Sequence, residues 1–132
     1  MRVQLNLLVD THIVIWSLLE PEKISLNFIT DIVSPSNQVW VSSISIWEIV
    51  TKINVGKLSL EDGFCDQILS QGFRIVPFES NHALRILDLP LHHKDPFDRG
   101  LMAHASFEKF KFYTADRALV KYGNQLDVVM ME

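Results

Sequence analysis

The chain has 132 residues, of which 48% are hydrophobic, and a formal net charge of -4 at pH 7. This length and apolar content predict one domain with a core large enough to fold without disulfides. Cys65 is the only cysteine, which excludes a disulfide framework and a cysteine-based zinc site and favours a reducing, cytoplasmic setting. We expect neither a signal peptide nor a membrane span, because no apolar run approaches the roughly 20 residues that a bilayer requires.

The negative charge argues against a general nucleic-acid coat, which normally shows a basic excess. The charge is unevenly distributed, because 91–123 holds six of the 12 basic and four of the 16 acidic residues. The remaining chain therefore holds six basic and twelve acidic residues. A phosphate backbone could approach 91–123 if bound cations neutralise part of the acidic charge.

In chain order, the hydrophobic pattern alternates between strands and helices. A β-branched and leucine-rich run predicts a first strand over Val3–Val9, ending at Asp10. The next helix, Ile13–Leu19, is apolar on every side except at Ser17, so it either is buried within the monomer or presents one face to a protein partner. The other predicted helices and strands are Ser25–Val33 (helix), Val39–Val41 (strand), Leu60–Ser70 (helix), Arg74–Val76 (strand), Ser80 or Asn81 to Leu89 (helix), Pro96–Phe110 (helix), Lys111–Thr114 (strand), Asp116–Gly123 (helix) and Leu126–Met130 (strand).

The segment Ser42–Ile53 turns from strand to helix, and Gly56 ends that helix. Ser45 and Glu48 have the spacing of a capping box, which gives Glu48 a purely structural interpretation. Four apolar residues recur at helical spacing and are predicted to face the core: Ile44, Trp47, Val50 and Ile53.

A histidine-rich loop, Leu91–Lys94, leads into the helix that starts at Pro96. Proline suits the first helical position because its missing N–H would be unsatisfied there anyway. Asp95 is the natural N-cap, and Asp98 lies in the first turn, where the helix dipole favours a negative charge. These residues alone are consistent with a well-capped helix.

Strands separated by helices predict a parallel sheet with right-handed crossovers and helices on both faces. Ligands bind such sheets beyond the carboxyl ends of the strands. Four acidic residues fall at that edge or at helix starts beside it, although each could separately be a helix cap: Asp10, Glu48, Asp98 and Asp116. Carboxylates gathered there would repel one another unless cations intervened, and oxygen ligands favour hard divalent ions such as Mg²⁺. Such ions can polarise a phosphodiester and activate a water, which predicts a hydrolase acting on nucleic-acid backbone.

With these residues the chain resembles PIN-domain ribonucleases and, among them, the VapC-type toxins of toxin-antitoxin pairs. The similar segments run in family order through nearly the whole chain and are Leu8–His12 with Trp16, Val41–Glu48 with Lys52 and Gly56–Leu58, Leu89–Arg99, and Thr114–Asp116. The His-His-Lys-Asp-Pro-Phe-Asp-Arg run within this framework is the most specific of them.

The resemblance implies a single three-layer α/β/α domain over residues 1–132, with a mostly parallel sheet of about five strands. It also implies Mg²⁺- or Mn²⁺-dependent endoribonuclease activity, inhibition by a cognate antitoxin, and homodimerisation. Carried over by position, the catalytic and metal-binding residues are Asp10, Glu48, Asp98 and Asp116.

Three other residues are expected near this site. Thr114 either donates a hydrogen bond there or is a purely structural strand residue. Arg99 either contacts an RNA phosphate or pairs with a nearby carboxylate. Asp95 is expected to cap its helix, with a supporting role behind the metal ligands as the alternative.

No zinc-type spacing links His12, His92, His93 and His104, so we do not expect a catalytic histidine. Two other functional classes stay open. One is a Mg²⁺-dependent phosphotransfer domain, although the paired acids that such a domain carries after its first strand are missing around Asp10. The other is a non-catalytic RNA- or protein-binding module on the same fold.

Overall fold

The computed structural model describes residues 4–131. The strands are β1 (Asn6–Val9), β2 (Gln38–Ser42), β3 (Arg74–Val76), β4 (Lys111–Thr114) and β5 (Val128–Met130). The helices are α1 (Thr11–Leu19), α2 (Leu26–Val33), α3 (Ser43–Asn54), α4 (Phe64–Ser70), α5 (Ser80–Arg85) and α6 (Pro96–Glu108). Short 3₁₀ segments cover Pro21–Lys23, Ile86–Asp88 and Arg117–Tyr122.

The five strands form one parallel sheet in the order β3-β2-β1-β4-β5, which confirms the predicted architecture. β1 is central, since Leu8 pairs with Trp40 of β2 on one side and with Phe112 of β4 on the other. After β1 the chain adds β2 and then β3 on one side of it, and it then returns to add β4 and β5 on the other side. The carboxyl ends of β1 and β4 therefore lie side by side at the point where the strand order reverses, which is where parallel sheets bind ligands.

Alternating side chains of the strands divide the core into two layers, because successive residues of a strand point to opposite faces. Leu7 and Val9 pack in one hydrophobic cluster with residues of α1, α2 and α4. Leu8 and Phe112 belong to the other cluster, with residues of α6 and of the 3₁₀ segment Arg117–Tyr122. Helices thus cover both faces, which gives the three-layer arrangement.

Several predicted boundaries differ from the structure. The first strand begins at Asn6 rather than Val3, and Val3 lies outside the described residues. α4 begins only at Phe64, because Gly63 precedes it in the left-handed conformation with φ +80°. α5 follows Glu79 as its N-cap rather than Ser80 or Asn81, and it ends at Arg85.

The buried stripe of α3 agrees only in part with the one that the apolar spacing predicts. Ile44 is buried and Ile53 packs half-buried against the core, as predicted, but Trp47 is 61% exposed and Val50 is 48% exposed, so their predicted place in the core is wrong. The face that packs between α1 and α6 consists of Ile44, Ser45, Glu48 and Ile49. The predicted cap is also wrong, because Ser42 accepts the N–H of Ile44 while Ser45 hydrogen-bonds Thr11 at 2.9 Å.

This orientation of α3 places Glu48 on the buried side of the helix and Trp47 on the exposed side.

Within residues 4–131, none of the helices combines the length and apolar character that crossing a membrane would require.

Candidate active site

Asp10 is buried at the carboxyl end of β1 and is held by three donors. Its Oδ1 accepts the N–H of Ile13 at 3.0 Å, which caps α1, and its Oδ2 accepts the Thr114 hydroxyl at 2.6 Å and the Ala115 N–H at 3.1 Å. Burial nevertheless raises the pKa of Asp10, against the lowering effect of these hydrogen bonds and of His12. A bound cation would relieve that burial cost.

Thr114 links two of the predicted acidic residues. Its hydroxyl donates to Asp10 and accepts the N–H of Asp116 at 3.0 Å. Asp116 also caps the following 3₁₀ segment, accepting the N–H of Ala118 through Oδ1 at 2.9 Å. The predicted hydrogen-bonding role of Thr114 is therefore present in the structure, and it fixes the backbone between β4 and Asp116.

Asp98 and Asp116 meet at this edge, together with His93, for which no catalytic role is expected from the sequence. One ligand atom from each of His93, Asp98 and Asp116 lies within 4.8 Å of the other two. His93 Nε2 is 2.8 Å from Asp98 Oδ2, so the imidazole and carboxylate share a hydrogen bond. Within the described residues 4–131, Asp10 and Glu48 stand outside this group of three.

Glu48 lies next to this group rather than in it. Its side chain is 9% exposed, and its Oε2 pairs with Lys52 Nζ at 3.3 Å. Its Oε1 is buried and has no hydrogen-bond partner within residues 4–131. A buried carboxylate oxygen without a partner is costly, so this atom fits a role as acceptor for a bound cation or water.

Asp98 has an unusual electrostatic environment. Burial raises the pKa of its carboxyl to about 6, and the charges of Asp95 and Glu48 contribute to the rise, while His93 opposes it. Asp95 itself is the predicted N-cap, accepting the N–H groups of Phe97 at 2.8 Å and Asp98 at 3.1 Å. The first turn of α6 thus brings negative charge into a partly desolvated place, as a cation site requires.

Arg99 does not pair with a carboxylate, one of its two predicted contacts, among residues 4–131. Its guanidinium is buried and donates to backbone carbonyls, including Pro90 O at 2.9 Å and His93 O at 3.4 Å. None of the ion pairs found within residues 4–131 involves Arg99. Tyr122 completes the same scaffold, since its hydroxyl accepts the His93 N–H at 2.9 Å and donates to Pro90 O at 2.8 Å. Arg99 and Tyr122 therefore fix the loop that carries His93.

An open groove of about 290 Å³ leads to Asp116 and is lined by His12, Trp16 and Ala115. His12 is exposed, and its ring lies 6.0 Å from that of Trp16. A substrate that reaches Asp116 through this groove would pass an imidazole and an indole.

The sequence profile of the PIN domain matches residues 7–125. The chain belongs to the PIN-domain family. This membership covers both core layers and all four predicted acidic positions, and it confirms the family resemblance. Comparison with curated proteins found no match.

Solved structures share the fold of this PIN domain. A chain from VapBC2 of Rickettsia felis, bound to a promoter DNA fragment, has a TM-score of 0.71 and 15% identity, covering 97% of this chain and 100% of that one. A chain from DNA-bound VapBC of Salmonella typhimurium has a TM-score of 0.68 and 15% identity, covering 96% and 98%. A chain from a toxin-antitoxin complex of Klebsiella pneumoniae has a TM-score of 0.62 and 20% identity, covering 93% and 95%. The fold is thus that of chains found in VapBC toxin-antitoxin complexes.

Proposed function

We propose that this PIN domain is a metal-dependent endoribonuclease toxin of the VapC type. The observation that carries the proposal is the convergence of Asp98, Asp116 and His93 beside the buried carboxylates of Asp10 and Glu48. This group lies at the ligand-binding edge of the sheet, where buried negative charge favours a divalent cation.

Asp98 and Asp116 are the residues that would hold the ion, with Asp10 and the free Oε1 of Glu48 beside them. When bound, Mg²⁺ or Mn²⁺ polarises a phosphodiester and lowers the pKa of a water. Asp10 holds Thr114, and Thr114 in turn fixes the backbone of Asp116. Hydrolysis by water rather than by the ribose 2′-hydroxyl would leave a 5′-phosphate and a 3′-hydroxyl.

Single-stranded RNA is the substrate form that the surface supports best. Trp47 is 61% exposed and directly precedes Glu48, and its ring packs edge-on against Phe97, which directly precedes Asp98. Unpaired bases stack on exposed aromatic rings, whereas the bases of a duplex are already stacked. Trp47 is thus suited to hold a base next to the acidic residues.

The test compares RNA cleavage by the wild type with Mg²⁺ or Mn²⁺, with a chelator, and with Asp98→Asn and Asp116→Asn. Cleavage by the wild type with metal alone is the expected result. Asp62→Asn is the matched control, because Asp62 is an exposed residue outside the site, and it should cleave at the wild-type rate. Full cleavage by Asp98→Asn or in the presence of chelator would contradict the proposal.

We also propose a cognate antitoxin as the protein partner, with an apolar antitoxin segment in a groove of about 330 Å³ beside α1 and α2. The groove is lined mainly by apolar side chains, among them Ile24, Ile29, Ile32 and Val33. The contribution of α1 to this groove is Ser17 alone, so the support for a protein partner is the apolar lining from the other residues and the similar structures, which come from toxin-antitoxin complexes.

A homodimer in the cytoplasm completes the proposal. Mass measurement by light scattering tests the dimer, and a small neighbouring gene for a DNA-binding antitoxin is the genomic observation that supports the toxin assignment.

A further inference from the structure

We propose that His93 is itself a metal ligand, so that the centre is a mixed nitrogen and oxygen site. The inference rests on the proposed function. Imidazole nitrogen binds transition metals well, whereas Mg²⁺ prefers oxygen ligands. A site that includes His93 should therefore select Mn²⁺ over Mg²⁺ more strongly than carboxylates alone would.

The first argument is the position of the ring nitrogen. A ring nitrogen of His93 lies with one oxygen each of Asp98 and Asp116 in a group whose members are all within 4.8 Å of one another. His93 Nε2 is 2.8 Å from Asp98 Oδ2. Two ligands at right angles around an ion, each about 2.1 Å from it, are about 3 Å apart. Nε2 and Oδ2 are therefore already near the spacing that a shared ion requires, with their bridging proton leaving to solvent on binding.

The second argument is the rigidity of the loop. The N–H of His93 donates to the hydroxyl of Tyr122, which is fully buried, and the carbonyl of His93 accepts from the buried Arg99. His93 is thus anchored on both sides of its own Cα. An anchored ligand loses little conformational entropy when it binds an ion. The neighbouring His92 is exposed, so the loop holds one histidine inward and leaves the other at the surface.

The third argument is unbalanced charge beside the ring. Glu48 Oε1 is buried without a partner in residues 4–131, and Glu48 directly follows Trp47, whose ring packs against Phe97, the residue before Asp98. The single Lys52 contact at 3.3 Å is made by the other oxygen, Oε2. Asp98 and Asp116 each place a carboxylate oxygen within 4.8 Å of a His93 ring nitrogen, so a cation held between these carboxylates would lie against His93.

His93 could instead only orient Asp98 by donating the Nε2 hydrogen to it, as residues behind metal ligands often do. Loss of affinity alone would not separate these roles, because removing such an orienting residue also weakens binding about 10- to 100-fold. Direct coupling between the metal and a nitrogen nucleus does separate them.

The experiment is pulsed electron paramagnetic resonance of Mn²⁺ bound to the full chain. We expect a ¹⁴N coupling in the wild type and in His92→Ala, and its loss in His93→Ala, with His93→Gln as the second variant should alanine destabilise the loop. Titration with each metal should show that His93→Ala weakens Mn²⁺ binding at least about tenfold and Mg²⁺ binding much less.

Bound Mn²⁺ without nitrogen coupling in the wild type would overturn the inference, as would coupling that survives in both His93 variants. Failure of the wild type to bind Mn²⁺ would overturn it too. RNA cleavage with Mg²⁺ is measured on the same preparations. Cleavage that persists without nitrogen coupling would leave the nuclease proposal standing, whereas absence of both metal binding and cleavage would remove both.

Discussion

Replacement of Asp98 by asparagine should stabilise the metal-free protein at neutral pH while it removes activity. The folded-state pKa of Asp98 is about 6, compared with 3.8 for the unperturbed carboxyl. The folded protein therefore binds more protons than the unfolded chain between these values, and its stability falls as the pH rises through that range. Each pKa unit corresponds to about 1.4 kcal/mol, so the ionised carboxyl costs up to about 3 kcal/mol above pH 6.

Asparagine has no charge, and its amide oxygen can still accept the hydrogen bond from His93. We expect Asp98→Asn to increase the free energy of unfolding by about 1–3 kcal/mol at pH 7 and to change it little near pH 4. Urea unfolding with chelator present, at both pH values, measures this difference. The control Asp62→Asn changes an exposed carboxyl and should leave stability nearly unchanged. An Asp98→Asn variant that is equally destabilised at both pH values would refute the electrostatic reasoning.

Three further predictions address other parts of the molecule. Burial lowers the pKa of His104 from 6.5 to about 4, so acidification across that range should cost up to about 3 kcal/mol at this side chain, which opposes the gain that Asp98 makes over nearly the same range. In urea unfolding, His104→Gln should therefore gain stability relative to the wild type as the pH falls from 6.5 to 4. Val33→Asp should weaken antitoxin binding at least about tenfold in calorimetry, whereas Val55→Asp, which changes a similarly exposed valine just after α3, should not; equal effects would contradict the proposed groove. Trp47→Ala should raise KM for single-stranded RNA about fivefold or more with kcat little changed, and an unchanged KM would exclude base stacking there.

The fold was predictable because the local signals agree with one another. Alternation of strands and helices predicts a parallel sheet, and Asp95 followed by Pro96 marks the start of α6 correctly. The strand ends then bring Asp10 and Asp116 to one edge, where Thr114 connects them.

The orientation of α3 was not predictable in the same way. Its sequence carries two overlapping stripes, one with Trp47 and Val50 and one with Ser45 and Glu48. Hydrophobicity favours the first stripe, but the second is buried because Ser45 bonds Thr11 while Ile44 and Ile49 on the same face pack in the core. Glu48 is carried inward with them, and burial of such a polar group is typical of a candidate site, where local rules are broken.

His93 and Arg99 show a second reason why part of the candidate site could not be predicted from the sequence. Spacing alone could not distinguish His92 from His93, because the choice depends on which of them the anchored loop turns inward. The loop is held by a hydrogen bond from His93 to Tyr122, which is 29 residues further along the chain, and by the bonds from Arg99 to backbone carbonyls. These contacts determine which histidine points inward. Such long-range contacts leave no local pattern, so the structure was needed to find the histidine and to explain the arginine.

The measurement that tests the central claim most directly is identification of the RNA ends left by the wild-type protein with Mg²⁺ or Mn²⁺. Water-dependent hydrolysis at the acidic edge predicts a 5′-phosphate and a 3′-hydroxyl at each cut, with no cuts from Asp98→Asn. Products that end in a 2′,3′-cyclic phosphate and form equally well with chelator would contradict it.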